Sequence, residues 1–406
     1  MKSPFHLMAK PTSYQCNLAC SYCFYQGKTL GVLKDTQPTP YMSDEVLQQY
    51  IQKYIAINPA QEIEFSWQGG EPTMAGIDFY RRALELQRKF SLGKTITNTI
   101  QTNGVLINDD WALFFAENKF LVGISVDGPA YLYDSYRRSH SGKSVFHKVL
   151  NAVNLLKKYQ VEFNILAVVN NETVKHPLEV YLFLTQELGA QFLQFIPVVE
   201  QTSLEDQTGE LVAAQTNKQT RLTPWSISGE EWGSFTNTLF DYWVRHDVGR
   251  VFIQFFENML AVWLGQPSAM CAMRSTCGMN LVIEQNGDIY SCDHYVFPEY
   301  KLGNVLTESL DKIVYSEKQF KFGTGKNKLS AECLNCEYGF VCQGGCPKQR
   351  IHWQGEQWHN HLCTGYKAIF QHVDPYMEYM VQQLWSGLDP ASIMNNIDAV
   401  SGGQNN

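Results

Sequence analysis

The first half of the chain alternates short apolar runs with segments whose apolar residues recur at helical spacing. Runs of this kind indicate buried strands, and the periodic segments indicate amphipathic helices. The predicted strands are His6–Lys10, Glu62–Trp67, Thr95–Gln101, Leu121–Val126, Glu162–Val169 and Phe192–Val199. The predicted helices are Ser43–Ile57, Asp78–Phe90, Asp109–Asn118, Ser144–Tyr159 and His176–Leu188. This βα repetition predicts a parallel sheet with right-handed crossovers, either open or curled into a partial barrel.

Polar or glycine-rich stretches follow each of the first four predicted strands. They are Cys16–Cys23, Gln68–Pro72, Gln101–Gly104 and Ser125–Pro129. Any one of them is also typical of an ordinary turn. Because the loops after the strands of a parallel barrel converge on one face, four such stretches in register predict a functional site there.

Three segments outside the βα repeat differ from it in composition. Trp225–Leu264 carries aromatic residues at helical spacing, which predicts packed bridging helices. Gln201–Thr223 is polar and is predicted to be a mobile loop near the mouth of the site, with a role in substrate choice. Ser386–Asn406 is predicted to be a frayed tail.

The 11 cysteines divide into three near the N-terminus and eight between Cys271 and Cys363. The first three form a C-x3-C-x2-C loop, which supplies three thiolates. A [4Fe–4S] cluster held by three thiolates keeps one iron open for a cofactor, whereas structural zinc sites and electron-carrying clusters usually close all four positions. A disulfide framework conflicts with the odd count, and no secretory segment is recognised in the N-terminal residues. A zinc ribbon fits the pair Cys333 and Cys336 but leaves the N-terminal triplet unexplained.

Length, composition and charge limit the number of domains and the classes of binding partner that we expect. With 406 residues the chain is long enough for two or three domains, and 44% hydrophobic residues are ample for their cores. The net charge is −8 and the basic residues are scattered, so nucleic acid is not expected as a partner. No uninterrupted apolar stretch reaches membrane-spanning length, and we expect a soluble cytoplasmic protein without a membrane partner.

The cysteine pattern resembles the radical S-adenosylmethionine (SAM) superfamily with a C-terminal SPASM domain. The C-x3-C-x2-C loop is the signature of that superfamily, and the SPASM pattern is matched by Cys277-x9-Gly287-x4-Cys292, Cys333-x2-Cys336-x5-Cys342-x3-Cys346 and Cys363. The resemblance covers roughly residues 5–385 and implies an α/β fold with a partial (β/α)6 TIM-like barrel. It divides the chain into a barrel at residues 1–225, bridging helices at 226–264, a SPASM domain at 265–366, and a C-terminal helix with a polar tail at 367–406.

The resemblance also implies the cofactors, which are SAM and three [4Fe–4S] clusters. The cluster that binds SAM would be held by Cys16, Cys20 and Cys23. The first auxiliary cluster would be held by Cys271, Cys277, Cys292 and Cys346, and the second by Cys333, Cys336, Cys342 and Cys363. Spacing alone would have grouped the last five cysteines differently.

Several residues are expected to contact SAM. Gly70 lacks a side chain that would obstruct the cofactor, and the resemblance places the backbone carbonyl near it against the SAM amino group. Glu71 is expected to fix this turn, and Ser125 to bond the ribose hydroxyls. Arg137 is the expected forked donor to the carboxylate, with Arg138 as the competing choice.

Adenine would be contacted by Tyr22, which lies within the cysteine loop, and by Val198 at the end of the sixth strand.

Two shorter segments, Phe65–Pro72 and Ser291–Tyr295, resemble the anaerobic sulfatase-maturating enzymes. That resemblance implies oxidation of a cysteine or serine of a sulfatase to Cα-formylglycine, with Asp293 as the general base. Gln68 and Tyr25 would position the peptide. Without the flanking match, Asp293 would be interpreted as an ordinary loop residue.

The implied partners are an unfolded or nascent sulfatase segment with the motif Cys/Ser-x-Pro/Ala-x-Arg and an electron donor such as flavodoxin or ferredoxin. Two alternatives stay open. Another SPASM enzyme that makes thioether or carbon–carbon crosslinks in peptides would share nearly every motif. A non-enzymatic iron–sulfur or zinc scaffold would bind metal without cleaving SAM.

Overall fold

The computed structural model describes residues 2–25, 41–205, 211–216 and 218–401. Six parallel strands lie side by side in chain order. They are β1 (His6–Lys10), β2 (Glu62–Trp67), β3 (Thr95–Thr102), β4 (Leu121–Ser125), β5 (Phe163–Val169) and β6 (Phe192–Pro197). The six predicted strands are therefore confirmed, and only their ends differ from the prediction.

The same sheet continues beyond both edges of this unit. The added strands are β9 (Phe252–Ile253), β10 (Asn280–Glu284), β11 (Asp288–Tyr290) and β12 (Lys301–Asn304). Two separate pairs are formed by β7 (Gln201–Ser203) with β8 (Thr220–Leu222) and by β13 (Arg350–Gln354) with β14 (Gln357–Asn360). Within the described residues, one sheet has the order β12-β11-β10-β1-β2-β3-β4-β5-β6-β9. Strand β10 pairs in parallel with β1, so that Lys10 lies opposite Glu284. The cysteine-rich half of the chain is thus joined directly to the first strand of the N-terminal half.

Helices cover the sheet and fill the C-terminal part. The α-helices of the described residues are Asp44–Ile57, Ile77–Phe90, Asp109–Glu117, Ala130–Tyr136, Phe146–Lys158, Pro177–Leu182, Gly229–His246, Gln254–Trp263, Leu310–Val314, Glu317–Gly325, Ala331–Leu334, Gly339–Cys342, Cys363–Trp385 and Ile397–Ser401. Ser43 caps the first of them by accepting a hydrogen bond from the Val46 amide at 3.3 Å, as the sequence predicted. The predicted helix at 176–188 begins as an α-helix and ends as a π-helical turn at Phe183–Glu187.

The bridging helices predicted in Trp225–Leu264 are confirmed as Gly229–His246 and Gln254–Trp263. The first packs closely against the helix Cys363–Trp385. Glycines permit that approach, because a Cβ atom at Gly365 would lie 2.1 Å from the carbonyl oxygen of Gly229. The described residues contain no helix that is long and apolar enough to span a bilayer.

Two predictions about irregular segments need correction. Residues 390–401 were predicted to belong to a frayed tail, but they form a 3₁₀ helix (Pro390–Asn395) and the short helix Ile397–Ser401. The reason is apolar burial, since Ile393 is fully buried within this polar stretch. Residues 402–406 lie outside the described part of the chain. The predicted loop 201–223 contains the antiparallel pair β7 and β8, while residues 206–210 and 217 of it are not described.

Candidate active site

The cysteine loop follows β1 and is held against the end of the helix Ala130–Tyr136. The Ala19 amide donates to the carbonyl of Arg138 at 2.8 Å, and the Ser21 amide donates to the carbonyl of Tyr136 at 3.3 Å. Burial raises the pKa of the Cys16 thiol to about 12, and the nearby Cys20 and Cys23 add to this shift. The three predicted ligands of the first cluster are therefore close neighbours.

Glu71 joins the loops after β2 and β3. Its side chain is completely buried. One carboxylate oxygen accepts from the Thr73 hydroxyl at 2.5 Å and the Thr102 hydroxyl at 2.7 Å, and the other accepts from the Asn103 amide at 2.7 Å. Burial raises the pKa of Glu71, and these donors oppose the shift. The expectation that Glu71 fixes the turn agrees with this geometry, which shows a structural use of the carboxylate.

The two glycines before Glu71 are required by packing against the first strand and its loop. Gly69 and Gly70 have φ angles of 92° and 47°. A Cβ atom at Gly70 would lie 2.0 Å from the carbonyl oxygen of Gln15, and one at Gly69 would lie 2.2 Å from Cδ of Lys10. The expected contact of Gly70 with SAM stays a prediction, but packing against Gln15 and Lys10 by itself already requires glycine at both positions.

Arg137 is engaged with Asp127, a residue to which the sequence argument gave no role. The guanidinium donates from Nε to Asp127 Oδ2 at 2.7 Å and from Nη2 to Oδ1 at 3.1 Å. The Tyr22 hydroxyl donates to the same Oδ2 at 2.5 Å, and the Arg137 guanidinium lies 5.3 Å from the centre of the Tyr22 ring. Burial alone would lower the pKa of Arg137, but Asp127 and Tyr22 raise it above its ordinary value.

This buried unit therefore fixes Tyr22 and Arg137, the expected contacts of adenine and of the SAM carboxylate. Both roles stay predictions. The competing Arg138 is exposed and donates to the main-chain carbonyls of Asp134 and Gly142. Asp127 lies within the Ser125–Pro129 stretch that the sequence had already marked.

The remaining expected SAM contacts lie at the ends of their strands. Ser125 ends β4, and its hydroxyl accepts from the Gln101 amide nitrogen at 3.1 Å. Val198 directly follows β6, and its backbone amide donates to the carbonyl of Val169 at 3.1 Å. Both residues thus lie at the edge where the strands end, and their contacts with SAM stay predictions.

Asp293 begins a short 3₁₀ turn directly after Cys292. Its carboxylate meets the ammonium of Lys10, with Nζ and Oδ1 2.5 Å apart. The same ammonium donates to Gln68 Oε1 at 3.1 Å and lies 4.7 Å from the centre of the Tyr25 ring. The structure therefore gathers Asp293, Gln68 and Tyr25 around one lysine that the sequence argument missed. A cation at the end of a buried strand was the signal that could have found it.

The eight C-terminal cysteines fall into two spatial groups. Burial raises the pKa of the Cys277 thiol to about 12; Lys326 opposes this shift, while Cys346 and Cys271 add to it. Burial also raises the pKa of Cys292, again with contributions from Cys346 and Cys271. The second group lines a cavity of about 370 Å³, and its cysteines are Cys333, Cys336, Cys342 and Cys363.

These groupings coincide with the two sets expected from the resemblance, and the residues fit iron–sulfur clusters. The donors are all thiols, the groups hold three, four and four members, and the last group surrounds a cavity. Ligation requires thiolates, so cluster binding would release the protons that burial now retains. The assignment of individual cysteines to clusters stays a prediction.

Two family models match the chain and define its class. The Radical SAM superfamily model matches residues 11–184, and the SPASM model, described as an iron-sulfur cluster-binding domain, matches residues 271–337. The fold is thus a radical SAM domain followed by a SPASM domain, and the fold class expected from the sequence is confirmed.

Relatives narrow this class further. The chain is 44% identical to a serine-type anaerobic sulfatase-maturating enzyme of Bacteroides thetaiotaomicron, over 96% of this chain and 94% of that protein. It is 35% identical to a cysteine-type anaerobic sulfatase-maturating enzyme of Clostridium perfringens, over 92% of this chain and 97% of that protein. A solved structure, native anSMEcpe with bound AdoMet and Cp18Cys peptide, superposes with a TM-score of 0.81 at 34% identity, covering 93% of this chain and 99% of that one. The chain belongs to the family of anaerobic sulfatase-maturating enzymes.

Proposed function

We propose that this protein oxidises a serine or cysteine residue of a sulfatase polypeptide to Cα-formylglycine. The observation that carries the proposal is the meeting of Asp293, Gln68 and Tyr25 around Lys10. Asp293 adjoins a predicted auxiliary-cluster ligand, Gln68 begins the predicted SAM loop, and Tyr25 follows the cysteine loop. This position beside both the predicted SAM loop and a predicted auxiliary-cluster ligand supports Asp293 as the proton acceptor.

The cofactors would be held by the groups already described. When bound, SAM and the three clusters would supply the radical and redox chemistry, namely abstraction of a hydrogen atom from the substrate and acceptance of one electron from it. The chain's own residues must then hold the substrate, receive its proton and exclude water.

Asp293 would receive that proton. A serine side chain that loses one hydrogen atom from Cβ, one proton from its hydroxyl and one electron becomes the aldehyde directly. A cysteine that loses the same particles becomes a thioaldehyde, and hydrolysis then replaces sulfur with oxygen and releases hydrogen sulfide. The base must reach the substrate heteroatom for either reaction. Gln68 and Tyr25 are the candidates to orient the peptide at this point.

The peptide would enter through a cleft of about 300 Å³ that is lined by His294, the residue after Asp293. Its walls include Phe24, His294, Phe297 and residues 211–214 of the predicted loop. Glu200 and Lys348 form an ion pair at the same cleft and join the end of the barrel to the SPASM half. Because residues 211–214 line this cleft, the 201–223 segment is proposed to take part in substrate choice. The proposed occupant of the cleft is a segment with the motif Cys/Ser-x-Pro/Ala-x-Arg.

Family membership also supports the remaining expectations. We propose a flavodoxin or ferredoxin as the electron donor and a cytoplasmic location. The domain boundaries at residues 225, 264 and 366 remain part of the proposal, and the last of them falls inside the helix Cys363–Trp385.

The test is anaerobic incubation of the reconstituted protein with SAM, a reductant and two peptides that differ only in serine or cysteine at the target position. We expect mass spectrometry to show the loss of two hydrogens from the serine peptide, or the same loss with sulfur replaced by oxygen in the cysteine peptide. A crosslinked product would favour the alternative SPASM chemistry, and absence of SAM cleavage would favour a scaffold. Either result would overturn the proposal.

A further inference from the structure

Lys10 is a completely buried cation at the end of β1. A buried ammonium is costly unless charged or polar partners replace its water. Its partners are the Asp293 carboxylate at 2.5 Å, the Gln68 amide oxygen at 3.1 Å and the face of the Tyr25 ring at 4.7 Å. These partners come from three different loops, so the lysine is the point at which the loops are tied together.

The backbone around Lys10 is shaped to keep this side chain in place. Gly69 adopts a φ of 92°, and a Cβ atom there would lie 2.2 Å from Lys10 Cδ. The Thr12 hydroxyl donates to the carbonyl of Gly69 at 3.0 Å and fixes the glycine over the lysine stem. On the other side, Lys10 lies opposite Glu284 in the pairing of β1 with β10, and Glu284 accepts a hydrogen bond from the Tyr25 hydroxyl at 2.7 Å.

We propose that Lys10 is a positioning residue that holds the Asp293 carboxylate and the Gln68 amide in the geometry needed to take the proton from the substrate heteroatom. This inference rests on the proposed function. The proton passes from the substrate hydroxyl or thiol to Asp293, and Lys10 takes no part in the transfer itself. The lysine therefore acts through Asp293, and its loss should harm the proton transfer more than SAM cleavage.

The experiment uses holoenzyme with all clusters and a substrate peptide carrying deuterium at Cβ of the target residue. Lys10→Met removes the ammonium while keeping an unbranched stem. Lys94→Met is the control, since the Lys94 ammonium is hydrogen-bonded within the fold, to the Ile55 carbonyl at 2.8 Å, but lies before the start of β3, at the opposite end of the strands from the site. Iron content, 5′-deoxyadenosine, its deuterium content and formylglycine are measured for each protein.

We expect Lys10→Met to keep its iron and to transfer deuterium into 5′-deoxyadenosine. Formylglycine formed per 5′-deoxyadenosine should fall by about 10- to 100-fold, which is the cost of a misplaced reacting group. Lys94→Met should leave that ratio unchanged. Combined with Asp293→Asn, Lys10→Met should cause little further fall, because two residues that act through one interaction are not additive.

Several outcomes would overturn the proposal. An unchanged ratio in Lys10→Met, or a full additional fall in the double variant, would show that Lys10 does not act through Asp293. If Lys10→Met loses cluster iron, Lys10→Gln is measured as well, because it keeps a polar group at the same place. Loss of iron in both variants would show that the lysine has only a structural role. Wild-type protein that cleaves SAM without making formylglycine would instead refute the proposed function, so the two failures are distinguishable.

Discussion

At the scale of single residues, buried charges organise the site before any cofactor binds. Glu71 joins the loops after β2 and β3, Asp127 holds Arg137 and Tyr22, and Lys10 holds Asp293. Apart from the Asp127–Arg137 pair, these contacts join residues at least 32 positions apart in the chain. Because removing one partner leaves an uncompensated buried charge, these positions should be sensitive to isosteric substitutions.

Asp127→Asn tests this at the SAM side. The change keeps the shape but leaves the buried Arg137 guanidinium without its counter-charge. We expect the free energy of unfolding to fall by about 3–5 kcal/mol, measured by denaturant unfolding, together with weaker SAM binding by calorimetry. Glu172→Gln is the control, because the Glu172–Lys175 pair is largely exposed and its loss should cost less than about 1 kcal/mol. Equal losses in the two variants would contradict the account.

Residues that belong to recognisable motifs could be predicted from the sequence. Residues whose importance comes from contacts between distant parts of the chain were missed. The roles of the cysteines and of Asp293 were predicted because their spacing or flanking residues resemble known families. Lys10 and Asp293 are 283 positions apart in the chain, and no local pattern announces their contact. Asp127 could have been singled out from the sequence, since it lies in the polar stretch Ser125–Pro129. Its pairing with Arg137 means that this arginine binds a buried carboxylate besides being the expected donor to SAM.

At the scale of elements, the strands were predictable and their joining was not. Apolar runs separated by helices identify six parallel strands, since burial on both faces imposes that pattern. The neighbour of β1 could not be predicted, because the backbone hydrogen bonds that join β10 to β1 could be made equally well by another strand. That pairing places Cys292 and Asp293 near the cysteine loop. The tail was mispredicted because its polar residues were given more weight than Ile393 and Ile397, which lie one helical turn apart and are both buried.

Close helix packing in the C-terminal half gives a prediction at this scale. Gly365→Ala would place a methyl group 2.1 Å from the Gly229 carbonyl oxygen, where backbone must move. We expect a loss of about 1–3 kcal/mol in the free energy of unfolding from overpacking. Gly325→Ala is the control, because no atom lies within 4 Å of its missing Cβ, and helix propensity should make it neutral or slightly stabilising. Urea unfolding of both variants measures the difference, and equal stabilities would contradict the packing argument.

At the scale of the whole molecule, the thiols form three groups: one in the loop after β1, one that includes Cys292 after β11, and one on and between the short helices before Cys363. The account predicts about 12 iron and 12 sulfide per chain after anaerobic reconstitution, four of each per cluster. Replacing Cys16, Cys20 and Cys23 with alanine should remove about a third of the iron and all SAM cleavage. The auxiliary clusters should persist, as their ligands lie elsewhere. Stoichiometric zinc without sulfide, measured by elemental and sulfide analysis, would contradict this prediction.

The central claim is that Asp293 receives the substrate proton during formylglycine formation. The most direct measurement compares wild type with Asp293→Asn on a peptide that carries deuterium at Cβ of the target residue. The account predicts that the variant keeps its clusters and still transfers deuterium into 5′-deoxyadenosine, while formylglycine appears about 10²–10⁴-fold more slowly. A formylglycine rate equal to that of wild type would contradict the claim and leave Asp293 as a structural residue of its loop.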